Sequence, residues 1–216
     1  KNKRFESVRN NLGYQAHRSL RIFIFIIRDF KPSIYDGFFS NKDGGKMNKL
    51  EKFTAIGTKK NQLMKVLELF AGTRSIGKAF ESKGHTVYSV EWDKKFENID
   101  LYADIMTVTA EQIIKEFGRP DVIWASPDCT TYSVAAISTH RRREGNGNLT
   151  PITEYATFCD TVNTHVVQLI NELNPKYWFI ENPRGGMRKM TWMKGLPRYT
   201  VTYCQYGDKR MKPTDI

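Results

Sequence analysis

The sequence predicts an α/β fold in which a mostly parallel sheet is covered on both faces by helices. Three observations carry this reading. From Met64 onward, short apolar runs of strand length alternate with segments of helical period. The helical segments stop at Gly or Pro, as terminated helices do. Each strand then gives way to a turn of small, polar or acidic residues, which is where an open parallel sheet holds its ligands.

Taken in order, Lys65–Phe70 (KVLELF) is almost continuously apolar and reads as a strand buried on both faces. Arg74–Lys83 follows as a helix stopped by Gly84. Thr86–Val90 is the second strand and Asp100–Ala103 a short third. Thr109 caps a helix running to Phe117, with Gln112 completing a capping box and Gly118 ending it. Asp121–Ala125 is the fourth strand. Thr150 and Pro151 form a helix start, because Pro is tolerated in a first turn. The apolar face then runs through Ile152, Tyr155, Cys159, Val162, Val166, Leu169 and Leu173 until Pro175. Tyr177–Ile180 is the fifth strand and Tyr199–Tyr203 a sixth.

Composition narrows the function classes. At 216 residues and 40% hydrophobic, the chain suits one α/β domain with an extension. Its 34 Lys and Arg against 23 Asp and Glu leave a net charge of +11, which favours an anionic partner, most commonly nucleic acid. Cys129, Cys159 and Cys204 include no CxxC pair, which argues against a disulfide framework and a metal site and for a reducing compartment. The longest apolar run, Ile22–Ile27, is too short to span a bilayer and is expected as a buried strand, so no membrane is expected. Residues 1–60 are expected as a basic N-terminal extension, since residues 1–46 hold ten Lys and Arg against four acids. Gly37 and the Asn41–Gly45 cluster mark a boundary before residues 61–216.

The turns carry the chemistry. After the first strand, Phe70-Ala71-Gly72-Thr73 lets the backbone approach a ligand, with helix amides just beyond. Glu91 ends the second strand, where an acid grips ribose hydroxyls, and Trp92 offers a face to a purine. Together they point to an adenosine cofactor. Asp104 follows the third strand and Ser126-Pro127-Asp128-Cys129 the fourth. Cys129 has no apolar periodicity around it, and a thiolate near positive charge is a strong nucleophile. Cys159, on the apolar helix face, and Cys204 read as buried packing residues. His140–Arg143 lies in a Gly- and Asn-rich loop placed to close over the site. Glu181-Asn182-Pro183 ends the fifth strand, where burial favours a neutral carboxyl able to donate to a ring nitrogen.

As an ordered set, these segments resemble the DNA cytosine carbon-5 methyltransferases. Leu67–Gly77 (LELFAGTRSIG) resembles their cofactor motif and Glu91–Asp93 their ribose and adenine motif. Ser126–Ser133 (SPDCTTYS) is similar to their Pro-Cys nucleophile motif, Glu181–Pro183 to their cytosine-contacting motif, and Tyr206–Pro213 (YGDKRMKP) to their basic segment. The resemblance implies a Rossmann-like S-adenosylmethionine-dependent methyltransferase fold over 61–216, incomplete at its carboxyl end. It implies S-adenosyl-L-methionine as cofactor and double-stranded DNA as partner. Cys129 would attack carbon-6 of a flipped cytosine, with Glu181 at ring nitrogen 3, Asn182 and Pro183 shaping the pocket, and Arg210 beside the base. Phe70, Ala71, Gly72, Thr73, Glu91, Trp92, Asp104 and Pro127 would line the cofactor, and Arg141, Arg142, Arg143 and Lys212 would meet DNA.

Two departures stand out. Arg74 and Ser75 occupy positions where small residues are expected, and Asp128 stands where the family has Pro. A carboxylate there raises the thiol pKa, which Arg141–Arg143 are expected to offset. Three other readings remain open: an exocyclic-amine methyltransferase, suggested by Ser126-Pro127; an RNA cytosine methyltransferase; and a binding module without turnover. By analogy with compact phage and restriction enzymes, the setting is the cytoplasm of a bacterial or phage-infected cell.

Overall fold

The first strand is apolar at nearly every position because it is buried on both faces, and the structure puts it at the centre. The computed structural model describes residues 63–206, 209 and 211–216. The expected extension at 1–60, the Ile22–Ile27 run and Arg210 lie outside the described residues.

In chain order, β1 (Lys65–Leu69) leads to α1 (Ser75–Glu81), β2 (Thr86–Glu91), β3 (Leu101–Tyr102), α2 (Ala110–Glu116) and β4 (Val122–Ala125). Next come the one-turn α3 (Ile137–His140), β5 (Arg141–Arg143), β6 (Leu149–Pro151), α4 (Glu154–Leu173) and β7 (Tyr177–Ile180). β8 (Asn182–Pro183), β9 (Thr200–Thr202) and β10 (Pro213–Asp215) complete the elements. The central sheet has five parallel strands in the order β3-β2-β1-β4-β7. The strand order reverses direction between β1 and β4, so a crevice opens beyond their carboxyl ends.

Alternation along the strands divides the core in two. Val66, Val122 and Trp124 pack with Ile76, Ala79 and Phe80 of α1. Leu67, Leu69, Ile123 and Ala125 point the other way, onto Val166, Leu169 and Leu173 of α4 and Ile113 of α2. Each fully buried Val, Leu, Ile or Phe among them contributes roughly 1.5–3 kcal/mol. The exception is Glu68, which the apolar reading of KVLELF passed over. Its carboxylate is buried and accepts from Ile76 N (3.2 Å) and Gly77 N (3.0 Å) in the first turn of α1. Those amides have no intrahelical partner, so the acid caps the helix from below. Burial pushes this carboxyl up to about 8, against the opposing amides and Arg74.

Several local expectations change. β1 ends at Leu69, because Phe70 takes a left-handed backbone (φ 58°). The α2 cap forms as expected, with Thr109 Oγ1 accepting from Gln112 N at 3.1 Å, but the reciprocal half of the capping box does not. Gln112 instead reaches forward to Glu116 at 3.1 Å. Thr150-Pro151 does not start the long helix. Those residues form β6, paired antiparallel with β5, and the true cap is Thr153, whose hydroxyl accepts from Ala156 N at 3.2 Å. A Ser/Thr cap satisfies an orphan amide, which a Pro cannot do. Ile152 is accordingly exposed and outside the apolar face. The expected sixth strand, β9, does not join the central sheet but forms a three-stranded antiparallel sheet in the order β8-β10-β9.

Candidate active site

The parallel strands deliver their carboxyl ends to one rim. The first turn is tied directly to the second strand: Glu91, buried, accepts from Gly72 N at 2.9 Å on one oxygen and from Trp92 N and Asp93 N, both at 3.0 Å, on the other. Gly72 adopts φ +51°, and a Cβ there would meet only Phe96 Cζ at 3.9 Å. Its backbone is therefore both left-handed and open to a ligand. Ala71 N bonds Val90 O at 3.1 Å, and Thr73 Oγ1 pairs with Ser75 Oγ at 2.9 Å. Arg74 lies along α1 in an ion pair with Glu81, leaving the crevice to the small residues. Trp92 is 49% exposed beside Glu91, and Asp104, exposed at the end of β3, accepts from Met106 N at 2.9 Å. An acid fixed at the end of β2, a half-exposed indole beside it and a Gly turn open to a ligand fit an adenosine-bearing cofactor.

Beyond β4, Pro127 is buried and its carbonyl accepts from Asn182 Nδ2 at 3.2 Å, which joins the turn that carries Cys129 to the end of β7. Asn182 Oδ1 is buried with no hydrogen-bond partner in the structure. Cys129 is half-buried at the start of a 3-10 turn, Thr130–Tyr132. Burial pushes its thiol up to about 11; Asp128 adds to this, Lys212 opposes it, and Glu181 adds to it again. The carboxylate effect expected of Asp128 is present, but the offsetting cation is Lys212 and not the Arg141–Arg143 run.

Glu181 is buried, and burial raises its carboxyl well above the usual range, with Lys212, Tyr203 and Ser126 opposing. Tyr203 donates to Glu181 Oε1 at 3.3 Å. Lys212 precedes β10, and its Nζ lies 5.2 Å from the Tyr203 ring centroid. Lys212, expected on DNA, is half-exposed and lies where its charge also acts on both Cys129 and Glu181. Tyr203 was missed, because it reaches the rim only through the antiparallel sheet. So was Gly185. A Cβ at Gly185 would overlap the Tyr132 carbonyl oxygen, and Gly186 N bonds that same oxygen at 2.7 Å. The Gly-Gly pair after Glu181-Asn182-Pro183 was the available signal. Gly185→Ala is expected to push the two turns apart, lowering the melting temperature by several degrees, about 1–3 kcal/mol. An unchanged melting curve would show that the segment yields freely.

Arg141 corrects the phosphate expectation. Its side chain is fully buried, ion-paired with Asp160 at 2.8 Å, bonded to Thr131 O at 2.9 Å and stacked on Tyr132 at 4.2 Å. Arg142 and Arg143 are exposed on the β5–β6 hairpin. Cys159 is buried as expected, but Cys204 is exposed. Among the described residues, no group of three His, Cys, Asp or Glu is placed to hold a metal ion, and no helix is long and apolar enough to cross a membrane.

Residues 64–191, which carry this rim as far as Glu181-Asn182-Pro183, match the C-5 cytosine-specific DNA methylase family, and the chain belongs to that family. A "Probable DNA (cytosine-5)-methyltransferase" of Frog virus 3 (isolate Goorha) is 30% identical over 152 residues, covering 67% of this chain and 65% of that protein. The chain thus spans about 65% of the length of this relative. Among solved structures, a SAM-dependent methyltransferase from Agrobacterium tumefaciens aligns with a TM-score of 0.41 at 14% identity, over 72% of this chain and 56% of that one.

Proposed function

We propose that this chain transfers a methyl group from S-adenosyl-L-methionine to carbon-5 of cytosine in double-stranded DNA, through a covalent bond to Cys129. The observation that supports it best is the convergence of three groups on one rim: a thiol just beyond β4, a buried acid at the end of β7, and Lys212, whose Nζ lies 5.2 Å from the ring of the Tyr203 that donates to that acid.

Carbon-5 of cytosine is a poor nucleophile until the ring is made enamine-like by addition at carbon-6. Cys129 Sγ, as thiolate, supplies that addition. Lys212 stabilises the anion, since its charge opposes the rise that burial imposes on the thiol. Glu181, whose burial favours the neutral acid, would donate its proton to ring nitrogen 3 and so accept the electron density pushed into the ring. Tyr203 and Ser126 hold the acid in place. S-adenosyl-L-methionine, when bound, supplies the electrophilic methyl group that carbon-5 accepts. A base then takes the carbon-5 proton, the electron pair of that bond expels Cys129 as thiolate, and ring nitrogen 3 returns its proton to Glu181, which restores the ring. The reacting atoms are inaccessible inside a stacked duplex, so the base must be flipped out. Arg142 and Arg143, on the exposed hairpin, are the members of the basic run available to phosphates.

Phe70, Ala71, Gly72, Thr73, Glu91, Trp92, Asp104 and Pro127 would hold the cofactor, with Glu91 taking ribose and Trp92 the adenine. Glu91→Ala is expected to weaken S-adenosyl-L-methionine binding by roughly ten- to a hundredfold, the loss of charge-assisted hydrogen bonds worth about 1.5–3 kcal/mol. Titration calorimetry on the two proteins measures it, and equal affinities would remove Glu91 from the site. The reading as a whole is tested by transfer of labelled methyl from the cofactor to duplex DNA and to RNA. Label at carbon-5 of DNA cytosine is expected; label on RNA alone, or on an exocyclic amine, overturns it.

A further inference from the structure

We propose that Tyr155 is a positioning residue for Cys129 that acts through Asp128, its hydroxyl clamping the carboxylate beside the thiol from the facing helix. This rests on Cys129 being the nucleophile of the reaction proposed above.

The clamp has two sides. Asp128 Oδ1 accepts from Thr130 N at 2.8 Å and from Thr130 Oγ1 at 2.7 Å, both within the nucleophile's own turn. Asp128 Oδ2 accepts from the hydroxyl of Tyr155, in the first turn of α4. The residue before, Pro127, is gripped through its carbonyl by Asn182. The turn that presents Cys129 is therefore held at consecutive residues by two different elements. Tyr155 is itself braced: its ring meets His140 edge-on with centroids 6.0 Å apart, and His140 Nδ1 pairs with Thr153 Oγ1 at 3.1 Å.

The need for a clamp follows from charge. A carboxylate one residue from a thiol opposes thiolate formation, and each donor to that carboxylate spreads its charge away from the sulfur. Without the Tyr155 hydroxyl, one oxygen of Asp128 loses a donor and is free to turn towards Sγ. The other charged and titratable groups facing this pair come from every side. Cys129 feels Glu181 from the end of β7 and Lys212 from ahead of β10. Asp128 acts on Tyr155 and Cys159 of α4, with His140 of α3 against the Tyr155 ring and Arg141 of β5 acting on Cys159.

The test is alkylation of Cys129 by iodoacetamide across pH on the full chain, resolved by peptide mass spectrometry, with exposed Cys204 as internal reference. Tyr155→Phe is expected to move the Cys129 midpoint upward by roughly half to one pH unit, slowing alkylation about three- to tenfold near neutrality. Asp128→Asn is expected to move it downward, and Asp128→Asn/Tyr155→Phe to behave as Asp128→Asn alone, because the hydroxyl has no charge left to act on. A Tyr155→Phe midpoint equal to wild type overturns the proposal. So does a Tyr155→Phe shift that persists in the Asp128→Asn background, which would mark a packing effect. Should Tyr155→Phe fail to fold, Asp128→Asn alone decides: an unmoved midpoint overturns the clamp. The readout needs neither DNA nor cofactor, so a chain that alkylates as expected yet never methylates cytosine counts against the proposed reaction and not against Tyr155.

Discussion

Replacing Cys129 by serine is expected to abolish methyl transfer, a fall of at least roughly a thousandfold, while the fold and cofactor affinity persist. In the proposed reaction the sulfur is needed for its thiolate, and a serine hydroxyl, with a far higher pKa, would not add to carbon-6 at useful rates. Cys129 is half-buried at the surface of the rim, so the exchange of sulfur for oxygen leaves no cavity to collapse. The chemistry has a second signature. Duplex DNA carrying 5-fluorocytosine at the target should trap the wild-type chain covalently, because fluorine at carbon-5 blocks the final elimination. Mass spectrometry should place the adduct on the peptide holding Cys129. An active Cys129→Ser chain would sink the covalent route and favour direct attack by an exocyclic amine, which needs no thiol.

The second large effect belongs to Glu181. Glu181→Gln keeps the shape and can still accept from Tyr203, but it removes the proton that must reach ring nitrogen 3. Methyl transfer should fall by about 10²- to 10⁴-fold, the usual weight of a general acid. The pH dependence separates this from a packing change. The wild-type rate should rise with pH as the Cys129 thiol ionises and fall as Glu181 loses its proton through its raised pKa. The residual rate of Glu181→Gln should retain the rise and lose the fall. Stability moves the same way. An acid raised on folding binds more protons in the native than in the unfolded state above the ordinary carboxyl value. It therefore costs stability progressively as pH climbs towards its folded pKa. Glu181→Gln should be the more stable protein at alkaline pH, with a remaining decline up to about 8 from buried Glu68. A variant with wild-type activity would remove Glu181 from the chemistry.

Much of the architecture was legible because it is written in local periods. The apolar strands β1, β4 and β7 and the long face of α4 are recognisable from spacing alone, and parallel strands of one sheet put the turns after them on one rim. Thr150-Pro151 misled because it satisfies the rule for a helix start as well as Thr153 does. What excluded it was pairing with Arg141–Arg143 across the hairpin, a contact that a linear reading does not contain.

Charge is where the linear reading reached its limit. A run of arginines reads as solvated, and two of the three are, yet Arg141 is buried because Asp160 and the Tyr132 ring lie behind it. The sequence by itself determined the family of fold, the rim, and the thiol and acid that stand on it, since these follow from residue type and short-range spacing. Only the tertiary structure decided which groups govern that thiol and acid. Lys212 and Tyr203 arrive on the antiparallel sheet, and Tyr155 arrives from the facing helix. The physical reason is that proton affinity depends on burial and on charges a few ångströms away through space, whatever their separation along the chain.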